Sequence, residues 1–377
     1  MKALVTGGGG FLGQYLVRRL IADGIEPISF SRSRHPELDK LGVEQRLGNL
    51  DVYEDVLRAA AGCGAVFHIA AYPSIMMDPE PFYRTNVLGS RNVVAACLKN
   101  KVRRLVYTST QCVANTVESQ EGIDESTPYA PRFIGWYQMT KAVAEQFIRA
   151  ANYAPWTDDY DFGGLDLSFR NFKTLRPNTT ASTPSRDPSR EDSLMTVALR
   201  PHLIWGPGDR HLVTRLVQRS RANALTRVGD GSNRLSTIYV ENCADAHKLA
   251  YDALVPGGPA PGSVYYIAQN EPLNCWKWID DLLALAGEPP VSKSVSFRTA
   301  WRAGRVLEKI YAILRIKKEP VMTRFLSTQL AKSYWFDTSR ARTELGFVPK
   351  ISTEEGMRRL GEYVADWLRR PENQRRG

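Results

Sequence analysis

Apolar positions in the first half of the chain alternate between two periods. Ala3–Thr6 is a short β-branched run that predicts a strand, and Phe11–Ala22 sets Leu12, Tyr15, Leu16 and Leu20 at helical spacing. Strand-like runs return at Pro27–Ser31, Val43–Leu47, Ala65–His68 and Arg104–Ser109, with helical spacing over Asn86–Asn100. Strands and helices alternating at this pitch predict parallel βαβ units, hence an α/β fold built on a doubly wound parallel sheet.

The pattern breaks between Tyr153 and Ser193, where Pro177–Arg190 is rich in Pro, Ser and Thr and has no apolar period. A polar surface insertion is expected there. Order resumes at Met195–Leu199, a strand running into Arg200-Pro201; after Pro256 come Gly/Pro-rich connections, aromatic clusters and basic helices. The expected organisation is a nucleotide-binding core over 1–152, the insertion over 153–193, a return to the sheet over 194–256, and a smaller C-terminal substrate domain over 257–377.

Composition narrows the class. Hydrophobic residues are 43% and charged residues 24% of the 377, which excludes a disordered chain, a collagen-like fibre and a small disulfide scaffold. The five cysteines are scattered without a CxxC pair, and the five histidines show no HxxxH or HExxH spacing. Neither a disulfide framework nor a metal site is expected. Met1–Thr6 runs straight into glycines with no room for a leader's apolar stretch, so a cytoplasmic protein is expected. The net charge of +10 admits nucleic acid, anionic lipid or a phosphorylated ligand, and its location is what discriminates.

Thr6-Gly7-Gly8-Gly9-Gly10-Phe11-Leu12-Gly13 lies between the first strand and first helix. Glycines there allow a tight turn and a close backbone approach to a pyrophosphate, which the helix N-terminus attracts. The run fits both GxGxxG, through Gly8, Gly10 and Gly13, and TGxxGxxG, through Gly7, Gly10 and Gly13. An acid gripping the ribose 2′-OH is expected at the end of the second strand in an NAD-binding chain. Here that strand ends Ser31-Arg32-Ser33-Arg34, which suits a 2′-phosphate, so NADP(H) is favoured over NAD(H).

Tyr137 and Lys141 form a YxxxK spacing that puts phenol and ammonium on one helical face. A neighbouring ammonium is expected to lower the tyrosine pKa from about 10 and equip it to exchange a proton with a carbonyl or hydroxyl oxygen. Thr110, with Ser109 as fallback, sits after the fifth strand, where a hydroxyl would project over the cofactor and hold the substrate oxygen.

Six motifs occur in order: Gly7/Gly10/Gly13, His68-Ile-Ala-Ala71, Asn86-Val-Leu-Gly89, Ser109-Thr110, Tyr137/Lys141 and Arg200-Pro-His-Leu-Ile-Trp-Gly-Pro-Gly-Asp209. Together they resemble the extended short-chain dehydrogenase/reductases, a Rossmann-like family. Arg200-Pro201-His202, Val228–Asn233, Tyr239–Asn242 and Thr323-Arg-Phe325 resemble its 3β-hydroxysteroid dehydrogenase branch, which also holds bacterial 2-alkyl-3-oxoalkanoate reductases. The resemblance implies that Tyr137 is the general acid/base, that Lys141 holds the nicotinamide ribose, and that Thr110 positions the substrate oxygen. It also implies cofactor contacts from Phe11, Leu12, Asn49, Leu50, Ala70, Ala71, Asn86, Pro201 and His202. The family usually has Ser where Thr110 stands and Asp where Asn49 stands, and both replacements keep a hydrogen-bonding group.

Rival chemistries differ at few positions. Nucleotide-sugar dehydratases need an Asp-Glu pair where this chain has Gln111-Cys112. Nucleotide-sugar epimerases need only the Tyr-Lys site and stay as an alternative, as does a non-catalytic NADP(H)-binding sensor. Tyr72, Met76, Phe133, Trp136 and Trp205, with Ile75, Met77 and Ile134, are expected to line an apolar pocket, which favours a bulky apolar small molecule over a sugar diphosphate. The expected reaction interconverts a ketone and a secondary alcohol on such a substrate. Residues 298–324 carry eight cations against Glu308 and Glu319, interleaved with Trp301, Val306, Ile310 and Ile313. The stretch reads equally as a peripheral-membrane or partner-docking helix and as a core helix with a solvated basic face. Nucleic acid is not expected, because no binding module accompanies the charge. A homodimer is carried as an open expectation.

Overall fold

A computed structural model describes residues 1–158, 160, 187–188, 190–209, 212–269 and 271–369. Seven parallel strands form the central sheet: β1 (Lys2–Thr6), β2 (Glu26–Ser31), β3 (Glu44–Leu47), β4 (Ala65–His68), β5 (Arg104–Thr108), β6 (Ser193–Pro201) and β7 (Val264–Ile267). Their order is β7-β6-β5-β4-β1-β2-β3, a doubly wound arrangement of Rossmann type whose order reverses beside β1. The first connections are α1 (Phe11–Ala22) and the helix Tyr53–Ala60; α2 (Gly89–Lys99), α3 (Trp136–Ala150) and α4 (Val240–Asp252) complete the two helical layers.

Strand alternation sorts the core. Ala3 and Val5 join Leu16, Val17, Leu20, Cys243 and Ala246 on the face covered by α1 and α4. Leu4 points the other way, into Val56, Val93, Val94, Ala144 and Ile148. A third apolar cluster lies in the C-terminal half, where Trp205, Trp276, Trp278, Leu282 and Leu360 pack together. A small sheet links that half to the core: Leu273–Asn274, Arg234–Leu235, Tyr334–Phe336 and Gln120–Ile123 pair in that order.

Several boundaries differ from the sequence expectation. The helix expected from Asn86 starts earlier, as a π-turn over Tyr83–Leu88 that flows into α2. β6 runs over nine residues rather than the five of Met195–Leu199. The start of the expected insertion is not loop: Ala154–Pro155 pairs antiparallel with the first residues of β6. Its centre lies outside the described residues. The amphipathic stretch splits, because α5 (Phe297–Ile313) stops before Arg315, whose φ is +50°, and a second helix spans Arg324–Ala331.

Three histidines are sealed inside. Burial pushes His68 and His202 down to about 3 and His247 to about 4, so all three imidazoles are neutral. Between these values and the ordinary 6.5 the unfolded chain binds protons that the native state refuses. Stability therefore holds above about pH 6.5 and falls as the pH drops from there towards 4. Thermal melts across that range should show the melting temperature declining with acid; a flat profile would contradict neutral burial.

Candidate active site

The glycine run forms the turn between β1 and α1. Gly7 has φ +73°, a left-handed value open to glycine, and its N–H donates to the Phe30 carbonyl. A Cβ at Gly13 would stand 2.2 Å from the Gly7 carbonyl oxygen, so helix and loop touch backbone to backbone. A Cβ on Gly8 would stand 2.7 Å from Ser29 Oγ, so the glycines of both the TGxxGxxG and GxGxxG readings are tightly placed. Gly10 is the N-cap residue of α1 and supplies no side-chain cap, and the first turn holds no acid. Its orphan N–H groups and the bare backbone before them fit a dinucleotide pyrophosphate. Phe11 and Leu12 open the helix, and Leu12 packs on the core. One neighbour escaped the sequence reading: the His35 ring lies against the loop, overlapping the place where a Cβ on Gly9 would sit.

Past β2 the two arginines differ. Arg34 is turned onto Asp39, its Nη2 2.8 Å from the carboxylate, so it is already paired. Arg32 is exposed and has no ion pair among the described residues. Ser31 is half-buried and donates to the Ser33 carbonyl at 2.7 Å. Of the set read as a 2′-phosphate site, Arg32 is the cation not already held by an acid. Asn49 is exposed with its N–H held by Asp55 at 2.9 Å, and the Leu50 side chain packs on Gly89.

A buried chain of hydrogen bonds runs from the glycine turn to α3. Thr6 Oγ1 meets His68 Nδ1 at 2.8 Å and accepts from the Ala70 N–H at 3.2 Å. His68 Nε2 meets Ser90 Oγ at 2.9 Å, and Ser90 donates to the Asn86 carbonyl at 2.7 Å. That last bond orients the rest: Nε2 of the neutral ring donates to Ser90, and Thr6 donates to Nδ1. Asn86 Oδ1 accepts from the Tyr72 N–H, and its Nδ2 donates to Thr140 Oγ1 at 3.0 Å. Thr140 in turn donates to the Trp136 carbonyl at 2.8 Å. The π-turn brings Asn86 into this chain, a use such turns often have. Ala70 and Ala71 follow β4 and are half-buried beside the turn.

Tyr137 and Lys141 stand one helical turn apart in the first half of α3, Tyr137 half-buried and Lys141 buried. Lys141 Nζ donates to the Thr108 carbonyl at 2.6 Å and lies 4.2 Å from the Tyr107 ring centroid. Burial brings the Lys141 ammonium down to about 7, against the pull of Glu145. The Tyr137 phenol is raised by burial, and the Thr110 side chain works the other way. The expected lowering of Tyr137 by Lys141 is not found; burial is the largest influence and raises the phenol.

Ser109 and Thr110 part company. In extended backbone neighbouring side chains face opposite ways, and Ser109 Oγ donates to the buried Glu145 carboxylate at 2.5 Å. Thr110 faces Tyr137 and caps the 3₁₀ turn Gln111–Ala114, accepting from the Cys112 N–H at 3.3 Å. Ser109 is therefore corrected from fallback catalyst to a support for Glu145. Glu145 went unnoticed in the sequence, although it lies four residues after Lys141. It accepts from Tyr129 at 2.8 Å and from Arg200 Nη2 at 2.6 Å, and both charged partners are buried.

The space beside Tyr137 is a cavity of about 20 Å³, room for little more than one water. Ile75, Met76, Met77, Ile134, Trp136 and Phe325 supply its apolar wall, with Ser74, Glu308 and Thr323 beside them. Met76 and Trp136 thus stand where the sequence expected them, and the Trp136 indole N–H donates to the Met77 carbonyl. Tyr72 packs edge-on to Phe82 with its hydroxyl on the Met76 sulfur, one step behind the wall. Phe133 packs among Val113, Tyr129 and Ala142. Trp205 is a correction: it is fully buried against Tyr239 and Trp278 in the C-terminal cluster, away from the cavity. Pro201 ends β6, and the buried His202 stacks edge-on to Phe336 with its Nδ1 unpartnered. Glu308, Thr323 and Phe325 were given no role by spacing, since only the tertiary fold brings them here. Among the described residues no group of His, Cys, Asp and Glu could hold a metal ion.

Residues 4–162 and 182–295 match the 3-beta hydroxysteroid dehydrogenase/isomerase family. The chain is 42% identical over 362 residues to a 2-alkyl-3-oxoalkanoate reductase of Stenotrophomonas maltophilia, covering 96% of this chain and 98% of that one. It is 29% identical to a 3-beta-hydroxysteroid dehydrogenase of Mycolicibacterium neoaurum, covering 97% and 92%. Among solved structures, a Thermus thermophilus UDP-glucose 4-epimerase complex with NAD superposes with a TM-score of 0.66 at 21% identity, covering 97% of this chain and 99% of that one. That last likeness is one of fold. The glycine cradle, the Tyr137–Lys141 pair and the family match agree: the chain belongs to the 3-beta hydroxysteroid dehydrogenase/isomerase family and is an NAD(P)-dependent oxidoreductase of ketones and alcohols.

Proposed function

We propose that this protein reduces the ketone of a 2-alkyl-3-oxoalkanoate to a secondary alcohol, with NADP(H) as its cofactor. The observation that carries the reading is the placement of Tyr137 in one cavity with an apolar wall of Met76, Met77, Ile134 and Trp136. A substrate with two alkyl chains favours such a wall, whereas a sugar diphosphate needs polar partners. The reductase relative at 42% identity supports the same substrate class.

The cofactor would be held by the Gly7–Gly13 turn, Arg32 and Lys141, and when bound its nicotinamide supplies hydride to the carbonyl carbon. Thr110 orients the carbonyl oxygen by a hydrogen bond. Tyr137 gives its phenolic proton to that oxygen as negative charge develops there, which makes it the general acid. Burial keeps the phenol protonated until then. Lys141, brought down to about 7, can take or release a proton near neutrality and restore the phenol.

A panel of NADPH and NADH, each with 2-alkyl-3-oxoalkanoates, 3-oxosteroids and UDP-sugars, tests this reading. Turnover of the oxoalkanoates with NADPH is expected. A UDP-sugar product formed without net cofactor oxidation would replace the reading with epimerisation. Arg32→Asp should weaken NADPH binding by about tenfold to a hundredfold while sparing NADH, as removal of one exposed phosphate contact implies. Equal losses for both cofactors would remove the NADP preference.

A further inference from the structure

Helix α5 has two faces with opposite fates. Ala300, Gly304 and Glu308 are buried, and a Cβ on Gly304 would stand 2.6 Å from the Thr323 carbonyl carbon. This inner face reaches the active site, where Glu308, Thr323 and Phe325 line the cavity beside Tyr137. The outer face carries large apolar side chains in solvent: Val306 is 56% exposed, Ile310 42%, Ile313 78% and, just past the helix, Leu314 66%.

At about 100° per residue, the outer face divides lengthwise. Arg298, Arg302, Arg305 and Lys309 fall along one half, and Val306, Ile310 and Ile313 along the other. None of these four cations has an ion pair among the described residues. Both acids of the stretch are committed elsewhere. Glu308 accepts from the Arg324 side chain at 2.6 Å, and Glu319 pairs with Arg215 at 2.8 Å while accepting from Ser74. What remains outward is positive and apolar together, with no acid of its own helix beside it.

We infer that the outer face of α5 docks this protein on an anionic lipid bilayer, with Ile310 and Ile313 in the acyl boundary and the arginines among the headgroups. The charge selects a negatively charged surface, and the side-by-side apolar row suits a helix lying in the interface plane. A helix that meets lipid on one face and lines the active-site cavity on the other would let a long-chain substrate pass without crossing bulk water. That passage rests on the proposed function; the docking does not. Among the described residues no helix is long and apolar enough to cross a membrane, so the contact is superficial.

Co-sedimentation of the full chain with vesicles tests the docking without any turnover. Wild-type protein should sediment with phosphatidylcholine vesicles containing one-third phosphatidylglycerol, stay in solution with pure phosphatidylcholine, and be released by high salt. The triple variant Arg302→Gln/Arg305→Gln/Lys309→Gln should lose about a hundredfold in partition, at about tenfold or less per cation. Ile310→Ser/Ile313→Ser should lose tenfold or more and keep its cooperative melt, because both side chains already face solvent. Wild-type protein left in solution with the anionic vesicles would overturn the inference and leave the face to a protein partner. Equal partition of the wild type and both variants would overturn it too. If docking holds while oxoalkanoates are not turned over, the functional reading fails and the surface stands.

Discussion

Replacing Tyr137 with Phe should cut kcat by about a thousandfold while leaving NADPH affinity and the melting temperature near wild type. The loss follows from the site's construction. In the proposed reaction the phenol lining the cavity is the acid, and Thr110 is occupied as acceptor for the Cys112 N–H. General acid catalysis by a positioned side chain is worth about 10²–10⁴ in rate. Phenylalanine keeps the ring's volume, and removing a buried hydroxyl spares the fold a polar group. Single-turnover kinetics with premixed enzyme and NADPH would isolate the chemical step from cofactor binding. A variant within tenfold of wild type would show that another group delivers the proton.

Arg200→Leu should destabilise the protein by about 3–5 kcal/mol, the largest stability loss expected from any single replacement around the site. Glu145 would then remain as a carboxylate sealed inside the protein, keeping only the hydroxyls of Ser109 and Tyr129. Those two donors cannot replace a guanidinium that approaches both carboxylate oxygens, at 2.6 Å and 3.0 Å. Glu145→Gln in the same background should restore part of the loss, because an amide needs no counter-charge in that setting. Urea titration of the two single variants and the double gives the coupling directly. An Arg200→Leu change below 1 kcal/mol would mean that water reaches Glu145.

The parts of this molecule legible in the sequence are those that local chemistry decides. Strand and helix alternation, the glycine turn and the one-turn spacing of Tyr137 and Lys141 follow from periodicity and backbone sterics, which short windows contain. What stayed hidden depends on where a side chain ends up after folding. Trp205 and Trp136 are the same residue type in similar apolar surroundings, yet one is sealed in a tryptophan cluster and the other lines the cavity. Arg34 and Arg32 are two residues apart, and only the fold shows that Asp39 has claimed the first. Ser109 and Thr110 are adjacent hydroxyls that extended backbone sends to opposite destinations. Glu308 and Phe325 reach the site from far along the chain, by a route that no spacing encodes.

The small sheet that joins the two halves has a consequence for how the protein is born. Gln120–Ile123 pairs with Tyr334–Phe336, segments more than two hundred residues apart, and Arg234–Leu235 pairs on the far side of the same late strand. The glycine turn and the seven parallel strands of the main sheet have left the ribosome once Ile267 is out, while Tyr334–Phe336 of the small sheet has not yet been made. Domains fold as they emerge, so a nascent chain has its nucleotide cradle and most of the cavity wall before Glu308, Thr323 and Phe325 are made. Newly synthesised protein thus passes through an interval in which the cavity beside Tyr137 lacks the side that Glu308, Thr323 and Phe325 close.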